Sequence, residues 1–126
     1  MLMMAFHNTL TSLNISCYTH FNKLKEVTMR ETFLALLRDS TPLFTTLQEE
    51  NRQEIVSLLV EKGGLSVTEI TEEMSISRPA ISHHLKLLLQ AGIVYVEKRG
   101  KERIYYLDVA CIKRNLKGFM QLLEKI

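Results

Sequence analysis

Cysteine occurs only twice in the 126 residues, as Cys17 and Cys111, too few and too far apart for a disulfide framework. Long apolar runs are missing as well. From residue 29 onward the longest is Phe33 to Leu37, far short of the roughly 20 residues that a bilayer-spanning helix needs. No basic stretch leads into an apolar block with a small-residue cleavage site, so a secretory signal is not expected. No internal repeat or low-complexity tract interrupts the chain, and its length suits one domain. Apolar residues make up 46% and charged residues 24%, enough to bury a core and unlike a disordered composition. The expectation is a soluble, cytoplasmic, single-domain protein.

Net charge is only +2, but its distribution is uneven. Residues 42–76 hold two basic side chains, Arg52 and Lys62, against seven acidic ones (Glu49, Glu50, Glu54, Glu61, Glu69, Glu72 and Glu73). Residues 77–107 hold six basic side chains (Arg78, Lys86, Lys98, Arg99, Lys101 and Arg103) against Glu97 and Glu102. The first segment repels phosphate and the second attracts it.

Residues 1–28 differ from the rest: no Asp, Glu, Lys or Arg precedes Lys23, and no helical or strand period holds. Lys25-Glu26-Val27-Thr28-Met29 can be encoded by a bacterial ribosome-binding sequence followed by ATG. The expectation is an atypical N-terminal extension over 1–28 lying upstream of a true start at Met29, with an unstructured N-terminal arm as the alternative. The domain proper is then 29–126.

From Arg30 a helical period is legible. Phe33, Leu34, Leu36 and Leu37 form an apolar stripe ending near Ser40, and Thr41-Pro42 reads as a cap and first-turn proline restarting a short helix. Asn51 opens the next helix, with Ile55, Leu58 and Leu59 inward, and Gly63-Gly64 ends it. Ser66-Val67-Thr68-Glu69 fits a capping box and launches a short helix with Val67, Ile70 and Met74 inward. Ser77 caps another, with Pro79 in its first turn and Ala80, Ile81, Leu85 and Leu88 as its buried row, ending at Gly92. Ile93 to Val96 and Ile104 to Leu107 then read as strands around the basic turn Lys98-Arg99-Gly100-Lys101. Asp108 caps a last helix whose apolar stripe (Val109, Ile112, Leu116, Phe119, Met120, Leu123, Ile126) is too wide to stay uncovered. The fold class is mainly α with a small β-hairpin: a winged helix-turn-helix.

The stretch from Leu65 to Ile70, the run Ser77-Arg78-Pro79-Ala80-Ile81-Ser82-His83-His84-Leu85-Lys86-Leu87-Leu88, then Ala91-Gly92-Ile93-Val94 and Arg103-Ile104-Tyr105-Tyr106 resembles the ArsR/SmtB family of bacterial repressors. The match in order, spacing and residue type covers about residues 43–108. It implies a homodimeric winged-helix regulator that binds operator DNA and leaves it when a signal binds.

The residues themselves support that reading. Arg78, Ser82 and Lys86 recur every four residues opposite Ile81, Leu85 and Leu88, with His83 beside them. Arg78 suits guanine, and Ser82 and His83 suit base edges or phosphate. Lys86 is placed to meet the backbone. Lys98, Arg99 and Lys101 suit a minor groove, and Arg103 a phosphate. Ser77 is first a helix cap and only then a phosphate ligand, beside Pro79; Arg78 and Lys86 also admit the plain reading of solvated charge. His84 faces inward and reads as a packing histidine that hydrogen-bonds within the domain. Tyr105 and Tyr106 read as wing packing. The dimer surface is expected at Phe33, Leu34 and Leu37 of the first helix and Ile112, Leu116, Phe119 and Leu123 of the last.

Many members of the resembled family sense metals through thiolates on the first helix of the helix-turn-helix. Here that segment, Leu65 to Ile70, carries serine and threonine, so no soft-metal site is expected there. Asp108 and Glu124 stand with no histidine between them, and Cys17 and His20 lack partners. No metal and no cofactor are expected. Cys111 reads as a small apolar residue, with a redox switch as the minor alternative. Without a glycine-rich phosphate loop, a nucleophile elbow or paired carboxylates, the chain is not expected to be an enzyme. The functional expectation is a DNA-binding repressor of a palindromic operator; the alternative is a winged-helix module that binds protein and no specific DNA. No convergent polar cluster marks an effector pocket.

Overall fold

The computed structural model describes residues 27–126. The chain divides into two compact units, residues 1–32 and 33–126, and only 27–32 of the first are described. The extension expected over 1–28, including Cys17 and His20, therefore lies almost wholly outside the described residues. Among those described the elements run α1 (Met29–Thr46), α2 (Glu50–Lys62), β1 (Leu65–Ser66), α3 (Val67–Glu73), α4 (Arg78–Gln90), β2 (Val94–Arg99), β3 (Glu102–Leu107) and α5 (Val109–Leu123).

One helix boundary read from the sequence is wrong. Thr41-Pro42 does not restart a helix; α1 runs through it. A proline inside a helix loses the bond to the carbonyl four residues back. Here the neighbouring Thr41 hydroxyl donates to the Leu37 carbonyl at 2.7 Å. Beyond the proline, Leu43 is buried and Leu47 packs on the core, so tertiary packing holds the last turn despite the missing donor. The next helix also starts slightly earlier than Asn51: Glu49 is its cap, and its carboxylate accepts the Arg52 backbone N–H at 3.0 Å.

The other caps follow the sequence. Ser66 and Glu69 form the reciprocal capping box, with the Glu69 N–H donating to Ser66 Oγ at 3.1 Å and the Ser66 N–H donating to Glu69 Oε1 at 2.8 Å. Ser77 Oγ accepts from Ala80 at 3.3 Å and opens α4. Asp108 accepts from the Cys111 N–H at 3.0 Å and opens α5.

The sheet has three antiparallel strands in the order β1-β3-β2, not the hairpin alone. Two residues are too short to show an alternation, so β1 leaves no period in the sequence. Leu65 pairs with Tyr105 and Ser66 with Ile104, which bolts the wing to the start of α3. Next to that strand, a side chain on Gly64 would bring its Cβ within 2.3 Å of the Tyr106 ring, so glycine is what lets the ring lie there.

Ile55 of α2, Ile70 of α3, Ile81, Leu85 and Leu88 of α4 and Ile93 are all fully buried, and with Leu59 and Val94 they make one core. Each such side chain contributes about 1.5–3 kcal/mol on burial. The consequence for the site is directional. With Ile81, Leu85 and Leu88 locked inward, the opposite side of α4 must face solvent.

Candidate nucleic-acid interface

That outer side of α4 carries Arg78, Pro79, Ser82, His83 and Lys86, all exposed. The side chains of Ser82 and Lys86 make no hydrogen bond or ion pair with described residues. Arg78 does: its guanidinium donates to Thr68 Oγ1 on α3 at 2.8 Å, a partner with no mark in the sequence. The contact ties the first residue of α4 to the preceding helix and leaves the rest of the guanidinium in solvent. Ser77, exposed, serves the helix start as its cap.

The wing register sorts its basic residues by face. Val94 pairs with Leu107, Val96 with Tyr105 and Lys98 with Arg103; Tyr95 pairs with Tyr106, Glu97 with Ile104 and Arg99 with Glu102. Opposed residues share a face and successive ones alternate. Lys98 and Arg103 therefore continue the face that packs on the core at its base. Two like charges directly opposed destabilise a ribbon, and no described carboxylate bridges them. Arg99 lies on the other face, 5.9 Å over the Tyr106 ring, which in turn stacks on Tyr95 at 5.3 Å. Lys101 is exposed beside Gly100, whose φ of +62° makes the tip. The structure thus brings Lys98 and Arg103 together and separates Arg99 from them.

His84 is turned inward, its side chain 13% exposed, while His83 is outward. Arg52 Nη1 lies 3.2 Å from His84 Nδ1, and Glu49 Oε1 lies 3.8 Å from the same nitrogen. Burial pushes the Glu49 carboxyl up, but the Arg52 backbone N–H, the Asn51 amide and the positive charge of Arg52 act the other way, leaving the group below its ordinary value. Elsewhere Lys62 and Glu73 pair at 3.0 Å on the surface, a contact of little energetic weight.

At the other end of the molecule Phe119 of α5 meets Phe33 edge-on at 6.2 Å and Phe44 at 6.4 Å. Gly118 allows α5 close to Leu36. Phe33, Leu34, Ile112 and Phe119 are half-buried within the chain, Ile112 against the core, while Leu37, Leu116 and Leu123 are exposed. Phe44 and Met120, not expected at this surface, join them around an apolar groove of about 490 Å³. The sequence stripe containing Met120 marked it; Phe44 was obscured by the helix break read at Pro42.

The segment from Leu65 to Ile70, where the resemblance implied a thiolate site in metal-sensing members, offers hydroxyls that are already in use. Ser66 Oγ caps α3 and Thr68 Oγ1 accepts from Arg78, so both hydroxyls are engaged in holding the helix-turn-helix together. Among the described residues no three His, Cys, Asp or Glu side chains gather as a metal site.

Residues 49–96 match the family of bacterial regulatory proteins described as the arsR family. A helix-turn-helix-type transcriptional regulator of Methanocaldococcus jannaschii is 36% identical over 75 residues, 60% of this chain and 84% of that protein. The arsenical resistance operon repressor of Bacillus subtilis is 34% identical over 80 residues, 64% of this chain and 76% of that one. The chain belongs to the ArsR family. Among solved structures, an ArsR-like transcriptional regulator from Rhodococcus superposes with a TM-score of 0.64 at 25% identity, covering 70% of this chain and 82% of that one. The protein is accordingly a transcriptional regulator with a DNA-binding winged helix-turn-helix. Its family and fold are those of regulators rather than enzymes.

Proposed function

We propose that this ArsR-family regulator is a repressor that binds a palindromic operator as a homodimer. The observation that carries the reading is the outer side of α4: Arg78, Ser82, His83 and Lys86 stand in solvent because Ile81, Leu85 and Leu88 are fixed inward. Such a helix suits a major groove, with Arg78, Ser82 and His83 toward base edges and Lys86 toward phosphate, while Ser77 and Pro79 start the helix at the backbone. Lys98 and Arg103, opposed on one face of the wing, suit a phosphate between them, and Lys101 and Arg99 extend the positive field around the tip. Repression is supported by the similarity to the Bacillus subtilis repressor.

A second copy is the occupant that best suits the groove between α1 and α5. Its lining (Leu37, Phe44, Leu116, Phe119, Met120 and Leu123) is wholly apolar, and Phe33 packs against Phe119 beside it. A two-fold pair of such surfaces is self-complementary. No described helix is long and apolar enough to cross a membrane; a DNA partner supports a cytoplasmic location. Ser66 and Thr68 argue against a thiolate-bound metal as the releasing signal.

Selection of bound duplexes from a random pool tests the reading. The expected result is an inverted repeat with half-sites about 34–36 Å apart, one helical turn. Recovery of no enriched sequence, or of single half-sites only, contradicts it.

A further inference from the structure

We propose that Arg52 is a positioning residue for operator recognition: acting through His84, it fixes the angle between the recognition helix α4 and the dimer helix α1, and so sets which half-site spacing the dimer accepts. The inference rests on the homodimer reading above.

Arg52 reaches two helices at once. Its Nε donates to the Thr46 carbonyl at 2.6 Å, at the last residue of α1. That carbonyl is one of the four a helix end leaves without an internal partner. Its Nη1 lies 3.2 Å from His84 Nδ1, in the middle of α4. A guanidinium only donates, so Nδ1 must be the acceptor and the ring proton must sit on Nε2. The contact is part-buried, with Arg52 half-buried and the Glu49 carboxylate near enough to feel its charge.

What makes the bridge informative is how α1 is otherwise attached. Upstream its side chains pack on α5, through Phe33, Leu36 and Phe44. Near its end, Leu43 and Leu47 enter the core. Apolar contacts of that kind are non-directional and tolerate small rotations. A planar fork with two donors aimed at two fixed acceptors does not. Arg52 is thus the directional link between the surface proposed to join two copies and the helix proposed to read DNA. His84 is adjacent to His83 and two residues from Ser82 and Lys86, so a small roll of α4 at His84 moves the whole outer row.

The test compares wild type with Arg52→Ala, His84→Leu and His84→Gln, whose amide oxygen can still accept from Arg52. Each is titrated against the selected operator, against versions with the half-site spacing changed by one base pair either way, and against random duplex, with the dimer mass measured in parallel. Wild type is expected to lose roughly tenfold or more on a one-base-pair change. Arg52→Ala and His84→Leu are expected to flatten that preference to less than about threefold while keeping dimer mass and random-duplex binding, and His84→Gln to keep the wild-type profile. Should Arg52→Ala fail to fold, the two His84 variants carry the comparison. A spacing preference as sharp in Arg52→Ala or His84→Leu as in wild type overturns the inference, as does a flat profile in His84→Gln. A wild type that binds no operator sinks the homodimer reading itself, and with it this one.

Discussion

On α4, Arg78, Ser82, His83 and Lys86 stand in solvent one helix-side away from residues that are fully buried. On α5, Leu116, Met120 and Leu123 stand in solvent at 43%, 58% and 51% exposure with no described residue over them. Both helices are amphipathic, yet among the described residues the apolar row of α4 is fully covered, whereas that of α5 is covered only in part, through Ile112, Phe119 and Leu122. The outer side of α4 is finished as a water-facing surface and needs an anion to be useful. The outer side of α5 is unfinished and needs apolar cover. On the proposed reading assembly and recognition occupy separate surfaces, and substitutions are expected to separate them.

The largest effect is expected at the unfinished surface. Leu116→Glu puts a carboxylate where a second copy would have to bury it. The hydrodynamic mass is expected to halve, and operator affinity to fall by about two orders of magnitude or more as the joint binding of two half-sites is lost. Melting temperature is the control, since Leu116 is not part of the chain's own core. A dimer that survives this change removes the α1/α5 surface from the account.

Next comes the wing. Replacing both Lys98 and Arg103 with alanine is expected to weaken binding to operator and random duplex alike and to make the salt dependence shallower by about one slope unit per residue. Relief of the like-charge pair should leave the fold slightly more stable. Arg78→Ala is expected to cost about 1–3 kcal/mol on the operator, with relaxed base preference at one position and little change on random duplex. Equal losses on both duplexes would erase the distinction between reading and anchoring. Arg99→Ala is expected to do less than the Lys98 and Arg103 pair, because the side chain lies on the opposite face over Tyr106.

The smallest expected effect on DNA is that of Ser66→Ala. Losing the capping hydroxyl is expected to destabilise the fold by about 1 kcal/mol, seen as a lower melting temperature, with operator affinity unchanged.

Local rules carried most of the fold into the sequence. The capping box at Ser66, the cap at Ser77 and the buried row Ile81, Leu85 and Leu88 are short-range patterns, and they aim α4. What the sequence concealed depends on distant residues. Pro42 reads as a helix start until Leu43 and Leu47 are seen to pin the following turn. β1 exists only because β3 lies beside it. Arg52 is one of two basic residues in an acidic stretch until the fold brings Thr46 and His84 to its guanidinium. Arg99 and Lys98 are neighbours in a basic turn, and only strand register shows that they face opposite ways.

The most direct measurement is the mass of the complex between the purified protein and its selected operator, followed as salt is raised. Two chains per duplex, with affinity falling steeply between low and physiological salt as counterions are released, is the expected result. A monomer that ignores duplex DNA even in dilute buffer, or one chain per duplex with no salt dependence, would contradict it.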